Sequence, residues 1–365
     1  MKILFDFQIL ATQRFGGISR YFYELYEGFK SDHDISVQCI QSRNAYFETV
    51  FEKKAYDSNN KIELKLIAIL NRLHRFFKIL LFRPDVFHAT YYDLWLIPFL
   101  PNKTKLVITI HDMIHEKYPE YFPKSDQTSK RKEFACKKAD LIISISENTK
   151  LDLIDHFSIN ENKIKVVHHG LSQRESKSFG NRIIKRNQIL FIGKRDGYKN
   201  FSFFINNISS ILTEKSISLV CVGGGKFTKI ENNTFKRLGI SDLISQKSVN
   251  DQELIALYAE SLFLVFPSIY EGFGLPILES WINKTPILLS DNSCFREVGG
   301  DSAIFFKIGN AEDLKKGFFQ LYNNEQLRNQ LILSGTERLK LFSKQLMISR
   351  TIDAYRSVLF DKHEA

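Results

Sequence analysis

Two glutamates frame the stretch EGFGLPILES: Glu271 opens it and Glu279 stands one place from its end, with seven residues between them and almost nothing polar among those seven. An ionised carboxylate only accepts hydrogen bonds, so each glutamate suits a vicinal pair of hydroxyls of the kind a ribose or a hexose presents. Pro276 fits the first turn of a helix, where its missing N–H costs nothing; Glu271 then sits in the preceding loop and Glu279 inside the helix. The amides of Phe273, Gly274 and Leu275 point out of such a helix start, the geometry that receives an anion such as a diphosphate, and the glycines let a ligand approach the backbone. Arg195 and Lys199 stand four apart in GKRDGYKN. Two fixed cations converging there could stabilise the charge that builds on a departing phosphate without a metal. Diphosphate donors flanked by hydroxyl acceptors are what binding a nucleotide sugar requires. The plainer readings are a solvated helix carboxylate for Glu279, a turn residue capping the helix for Glu271, and solvated surface cations for Arg195 and Lys199.

Further candidates lie in the first half. His111 ends the apolar run LVITI and is followed by Asp112, a residue suited to capping what comes next. A satisfied structural histidine is the alternative for His111. Gly16 and Gly17 fall between the first strand-like run and the first helix, where backbone amides could approach a donor phosphate or an acceptor; a tight strand-to-helix turn is the other reading. His115 follows His111 in the same segment, His168 and His169 fit a structural role, and Glu297 reads equally as a nucleotide contact or a helix-start carboxylate. The acids of AspHisAsp at 32 to 34 read as a solvated turn. No metal and no cofactor are expected.

Periodicity indicates what must position these residues. A chain of 365 residues is long enough for two domains at roughly 150 residues each. Apolar runs of strand length at Lys2 to Phe7, Asp85 to Ala89, Leu106 to Ile110, Leu141 to Ile145 and Ile164 to Val167 alternate with helical or looped segments, the first a helix over Ile18 to Phe29. Polar, basic sequence from Ser172 to Asn187 interrupts the rhythm. It restarts with strands at Ile189 to Ile192, Ser218 to Val222, Leu262 to Phe266 and Pro286 to Leu289, and a capped helix over Asp251 to Tyr258. The expectation is an α/β protein of two facing, doubly wound parallel-sheet domains, residues 1–171 and 172–345, with its chemistry in loops at the carboxyl ends of strands.

The formal charge of +10 asks for an anionic partner: a phosphorylated substrate, a nucleic acid or an acidic membrane face. No zinc-finger, RNP or helix-turn-helix pattern supports nucleic acid. Lys61 to Pro84 (KIELKLIAILNRLHRFFKILLFRP) mixes Lys, Arg and His with Leu, Ile and Phe at helical spacing. It reads either as a basic amphipathic helix on anionic lipid, with Phe76, Phe77, Leu80 and Leu81 dipping in, or as a helix packed on the domain core. Cys39, Cys136, Cys221 and Cys294 form no CxxC pair, and no leader precedes the first strand-like run, which favours a reducing, cytoplasmic setting. No apolar run approaches the roughly 20 residues of a membrane-spanning helix.

PSIYEGFGLPILES resembles the E-x7-E motif of the retaining glycosyltransferases of family 4, whose architecture is GT-B, two Rossmann-like domains with a deep cleft between them. FIGKRDGYKNF (191 to 201), CVGGG (221 to 225) and REVGGDSAIFF (296 to 306) are similar to the blocks around that motif. RFGGISRY (14 to 21), ITIHDMIHEKYPEYF (108 to 122) and ADLIISISENTKLDL (139 to 153) extend the likeness into the first half. The resemblance implies that Glu279 holds the ribose hydroxyls, that Glu271 contacts the donor sugar, that the backbone of Phe273 to Leu275 cradles sugar and phosphate, and that His111 serves the donor sugar or reacting centre. It also implies a terminal helix, residues 346–365, packed back on the first domain. The pattern looks like bacterial mannosyl and deoxyhexosyl transferases of surface polysaccharide assembly. GDP-mannose is therefore the leading donor, dTDP- and UDP-sugars stay open, and a lipid-linked oligosaccharide at the inner membrane face is the acceptor. Two rivals remain: a GT-B sugar-nucleotide epimerase, and a non-catalytic basic protein binding membrane or nucleic acid.

Overall fold

The computed structural model describes residues 1–56, 60–172 and 185–360, which divide into two units: residues 1–170 with the helix Lys344–Phe360, and residues 171–343. The boundary segment read at Ser172 to Asn187 lies mostly outside the described residues.

The first unit is built on six parallel strands, β1 (Lys2–Phe5), β2 (Asp34–Val37), β3 (Val86–Ala89), β4 (Lys105–Ile110), β5 (Leu141–Ser144) and β6 (Ile164–Val166), in the order β2-β1-β3-β4-β5-β6. Strands β3 and β5 are buried along their whole length, which is why their sequences run apolar without alternation. Chain order reverses between β1 and β3, so the switch point of this sheet lies there. Between β1 and the helix Gly17–Phe29 stands a short helix, Gln8–Thr12, where the sequence suggested only a glycine turn. Phe5, Phe22 and Phe29 fill the core together with Met347 and Tyr355 of the terminal helix. A polar thread crosses that core: Tyr355 Oη lies 2.6 Å from His88 Nδ1, His88 Nε2 lies 2.9 Å from Thr109 Oγ1, and Tyr21 Oη lies 3.2 Å from the same hydroxyl. Buried polar groups paired in this way tie the helices carrying Tyr21 and Tyr355 to β3 and β4.

The second unit carries β7 (Gln188–Ile192), β8 (Ser218–Val222), β9 (Ile244–Lys247), β10 (Leu264–Phe266), β11 (Ile287–Ser290) and β12 (Ile304–Phe306), ordered β12-β11-β10-β7-β8-β9 and parallel throughout. Counted from β9 this is the 3-2-1-4-5-6 order of dinucleotide-binding folds, with its switch point between β7 and β10. The helix Asp251–Glu260 is capped reciprocally by Asn250 and Glu253. The doubly wound α/β expectation holds in each unit. Strands β2, β9 and β12 were not anticipated, and all three are edge strands.

Candidate active site

Lys199 follows β7 and Glu271 follows β10, so both stand at the switch point of the second unit. The Ile269 amide donates to the Tyr198 carbonyl at 2.8 Å and stitches the two loops together. Beside that stitch the Lys199 ammonium bonds Glu271 Oε1 at 2.5 Å, with each side chain 14% exposed. The ammonium also lies 5.4 Å over the Phe266 ring, which further localises the charge. From the other side, Ser290 Oγ and Asn292 Nδ2 donate to the Ser268 carbonyl at 2.5 and 2.9 Å, anchoring the Glu271 loop to β11.

The same loop runs into the helix Leu275–Ile282, with Pro276 in its first turn. Gly274 has φ +96°, and a Cβ on it would sit 2.9 Å from the Phe295 ring, so the turn that opens the helix requires glycine. Glu279 lies on this helix and accepts a hydrogen bond from the Tyr258 hydroxyl at 2.9 Å. Burial, and then the Glu279 carboxylate, push the Tyr258 hydroxyl well above the ordinary tyrosine range, so it remains the donor. The sequence reading missed Tyr258; it stands 21 residues upstream, and nothing local links it to Glu279.

Arg195 pairs with a different carboxylate from Lys199. Its guanidinium is buried and spent on its own unit: Nε donates to Glu231 at 2.6 Å, Nη1 to the Gly223 carbonyl at 2.8 Å and Nη2 to the Gly225 carbonyl at 2.9 Å, over the Phe227 ring at 4.8 Å. Gly223, Gly224 and Gly225 all have positive φ, which lets consecutive carbonyls curl toward one cation. Neighbouring residues leaving a strand diverge: Arg195 turns inward, while Lys194 is exposed. Both nevertheless line one surface depression of about 590 Å³, together with Asp196, Ser202, Gly224 and Glu231.

In the first unit His111 directly follows β4 and is 8% exposed. Its ring stacks on His169 at 5.6 Å and meets the edge of Tyr21 at 5.3 Å. Nε2 of His111 is buried with no hydrogen-bond partner among the described residues. Burial, aided by His88 and Lys132, pushes its pKa down to about 3, so the ring is neutral. Gly17 begins the helix Gly17–Phe29 with Gly16 as its N-cap residue in extended backbone, so neither needs to be glycine for conformational reasons. His115 stacks on Phe122 at 3.8 Å, away from the His111 pair. Glu297 lies on the helix Ser293–Gly299, where its carbonyl receives Arg338. Asp34 begins β2 rather than lying in a turn.

A carboxylate and a lysine are thus paired at the switch point of a Rossmann-like sheet, beside a helix opened by glycine. Comparison with known proteins gives the class of the chain. The family described as Glycosyltransferase Family 4 matches residues 15–174, and the one described as Glycosyl transferases group 1 matches residues 172–338. The O-antigen chain mannosyltransferase RfbU of Salmonella typhimurium is 28% identical over 232 residues, 63% of this chain and 63% of that protein. O-antigen chain mannosyltransferase B of Escherichia coli is 24% identical over 278 residues, 71% of this chain and 72% of that protein. The chain thus spans less than two thirds of RfbU. In fold it is similar to a glycosyltransferase from Rickettsia africae (TM-score 0.73, 16% identity, 99% of each chain) and to Anabaena HepE solved with UDP and glucose (TM-score 0.75, 16% identity, 98% of this chain and all of that one). The chain belongs to the family 4 glycosyltransferases of GT-B fold.

Proposed function

We propose that this chain is a retaining, metal-independent hexosyltransferase that moves mannose from GDP-mannose to a lipid-linked oligosaccharide during bacterial surface polysaccharide assembly. The observation that carries the reading is the Lys199–Glu271 pair, 2.5 Å long, set where the backbone of Gly274 opens a helix. On donor binding Lys199 exchanges Glu271 for a diphosphate oxygen, which releases Glu271 to accept the sugar hydroxyls. Glu279, held by Tyr258, takes the ribose. Lys199 and the helix-start amides stabilise the charge that develops as the bond between the anomeric carbon and the phosphate oxygen breaks. The acceptor oxygen attacks the same face, and its proton passes to the departing phosphate, so no enzymic nucleophile is needed. In the first unit, neutral His111 offers a hydrogen bond to an uncharged hydroxyl. The mannosyltransferase names of RfbU and of the Escherichia coli relative support the sugar; HepE, solved with UDP, keeps a UDP-sugar as the second donor to test.

The test is transfer from radiolabelled GDP-mannose to a lipid-linked oligosaccharide in chelator, with the anomeric configuration of the product read by NMR. Acceptor-dependent transfer with retained configuration is expected. Isomerised donor without acceptor identifies an epimerase instead, inverted product refutes the same-face mechanism, and activity restored only by a divalent cation refutes metal independence.

A further inference from the structure

The helix Lys61–Phe82 buries Asn71, Arg75 and Ile79 and leaves an apolar stripe outside. Its N-terminus is capped by the Asn60 side chain, which accepts from the Ile62 amide at 3.0 Å. Its protein-facing side holds polar residues: Asn71 is fully buried and exchanges hydrogen bonds with the backbone of Ile40 and Gln41 at 2.7 and 3.2 Å. One turn on, Arg75 is 1% exposed and bonds Asp6 at 2.7 Å, itself buried at the end of β1. The outward side carries Leu66, Ile69, Leu73, Phe77 and Leu80, spaced by three and four as on one helical face, with Leu81 beside them 83% exposed. The arrangement cannot relax by rotation. Turning the apolar stripe inward would break the Arg75–Asp6 pair and strand a buried carboxylate. Trp95 and Phe99 extend the apolar surface at the C-terminal half, where Phe76 meets Phe99 at 5.3 Å and Arg75 lies 5.8 Å from the Trp95 ring.

We propose that this outward face is an interfacial anchor that lies flat on an anionic lipid surface. The charge chooses the occupant. With Arg75 buried against Asp6 and Arg72 paired with Asp93, Lys61, Lys65, Lys78 and Arg83 still outnumber the single acid Glu63 among the residues of the helix and its cap, on a chain of net charge +10. A second copy of the chain would bring two such cationic helices together, whereas anionic headgroups neutralise them. No helix among the described residues is long and apolar enough to cross a bilayer, so this one lies on the surface rather than through it. The inference deepens the lipid-linked-acceptor reading by naming the element that meets the membrane, but its evidence is independent of donor and acceptor.

The test is partitioning of the full chain onto phosphatidylcholine vesicles with and without phosphatidylglycerol, with brominated lipid as a quencher of Trp95 and Trp95→Phe as its control. Binding to the anionic vesicles with quenching of Trp95 is expected. Leu73→Ser combined with Phe77→Ser and Leu81→Ser should weaken partitioning about tenfold or more, because these side chains supply the buried apolar area. Lys65→Gln with Lys78→Gln should weaken it about twentyfold on anionic vesicles and leave neutral vesicles unaffected. Nucleotide binding and thermal midpoint, measured on every variant, should stay at the wild-type value. Equal partitioning of wild type and triple variant overturns the proposal, as does a triple variant that turns a dimer into a monomer with no change on vesicles. A chain that binds vesicles but no nucleotide leaves the anchor standing and removes the proposed nucleotide-sugar site.

Discussion

None of the nine histidines lies within residues 171–343, whereas the first unit buries His88, His111 and His169 around Tyr21 and Thr109. Both units hold ion pairs, Arg75–Asp6 and Lys132–Glu116 in the first and Lys199–Glu271 and Arg195–Glu231 in the second. Only the first adds a cluster of neutral imidazoles to them. Neutral imidazoles suit hydroxyl groups, which give and take hydrogen bonds without charge. Permanent cations and carboxylates suit a ligand that is anionic at one end and rich in hydroxyls at the other. Within the second unit the two cations differ again: Lys199 is anchored by one carboxylate and can exchange it, while Arg195 is bound by a carboxylate and several carbonyls at once.

The largest expected effect falls on the exchangeable cation. Lys199→Met should lower kcat by about a hundredfold to a thousandfold, the range found when one charge-stabilising group is removed, with little change in unfolding of either unit. A variant with near-wild-type turnover would place the phosphate elsewhere, and Lys194→Met would be the next substitution to examine. Arg195→Met should act in the opposite way, costing about 3 kcal/mol of stability in the second unit because Glu231 and the Gly223–Gly225 carbonyls lose their cation. Denaturant titration followed by Trp281 fluorescence in a Trp95→Phe background reads that unit, and an unchanged midpoint with lost nucleotide binding would make Arg195 a ligand contact.

Acid should separate the units. His88 and His111 are pushed down to about 3, and His169 well below its ordinary value, in each case first by burial. Folded pKa values below the unfolded one mean that the unfolded chain takes up protons first. The stability these histidines confer is complete above about pH 6.5 and is lost as pH falls toward 3, by about 2 kcal/mol each for His88 and His111 between pH 6.5 and 5. Denaturation at pH 7.5 and 5.0 should weaken the first unit selectively, and equal losses in both would contradict the contrast. The smallest effect belongs to Tyr258→Phe, which removes one hydrogen bond to Glu279 and should weaken nucleotide binding by about 1 kcal/mol, measured by calorimetry.

What the sequence disclosed follows burial. Strands β1, β3, β4, β5, β7, β8, β10 and β11 lie inside their sheets and read as mainly apolar runs, so their residues announced them. Of the four edge strands, β2 (DISV), β9 (ISQK) and β12 (IFF) are too short or too polar for periodicity to register, and only β6 was read. The site followed the same logic. Glu271, Gly274 and Glu279 share one loop and helix start, so spacing alone placed them relative to one another. The Lys199–Glu271 bond spans 72 positions and depends on β7 pairing with β10, which spacing does not encode. Arg195 and Lys199 looked equivalent because both are cations on one loop. Their divergence depends on three glycines whose carbonyls turn toward only one of them.

The most direct test is calorimetric titration of the full chain with GDP, UDP, dTDP and ADP in chelator, repeated with Glu279→Ala. Binding of one nucleotide without metal, weakened about ten- to hundredfold in the variant because a charged hydrogen-bond acceptor is gone, is the expected result. Binding of none of the four, or equal binding by the variant, would contradict the assignment of Glu279 and the switch point of the second unit as the nucleotide-sugar site.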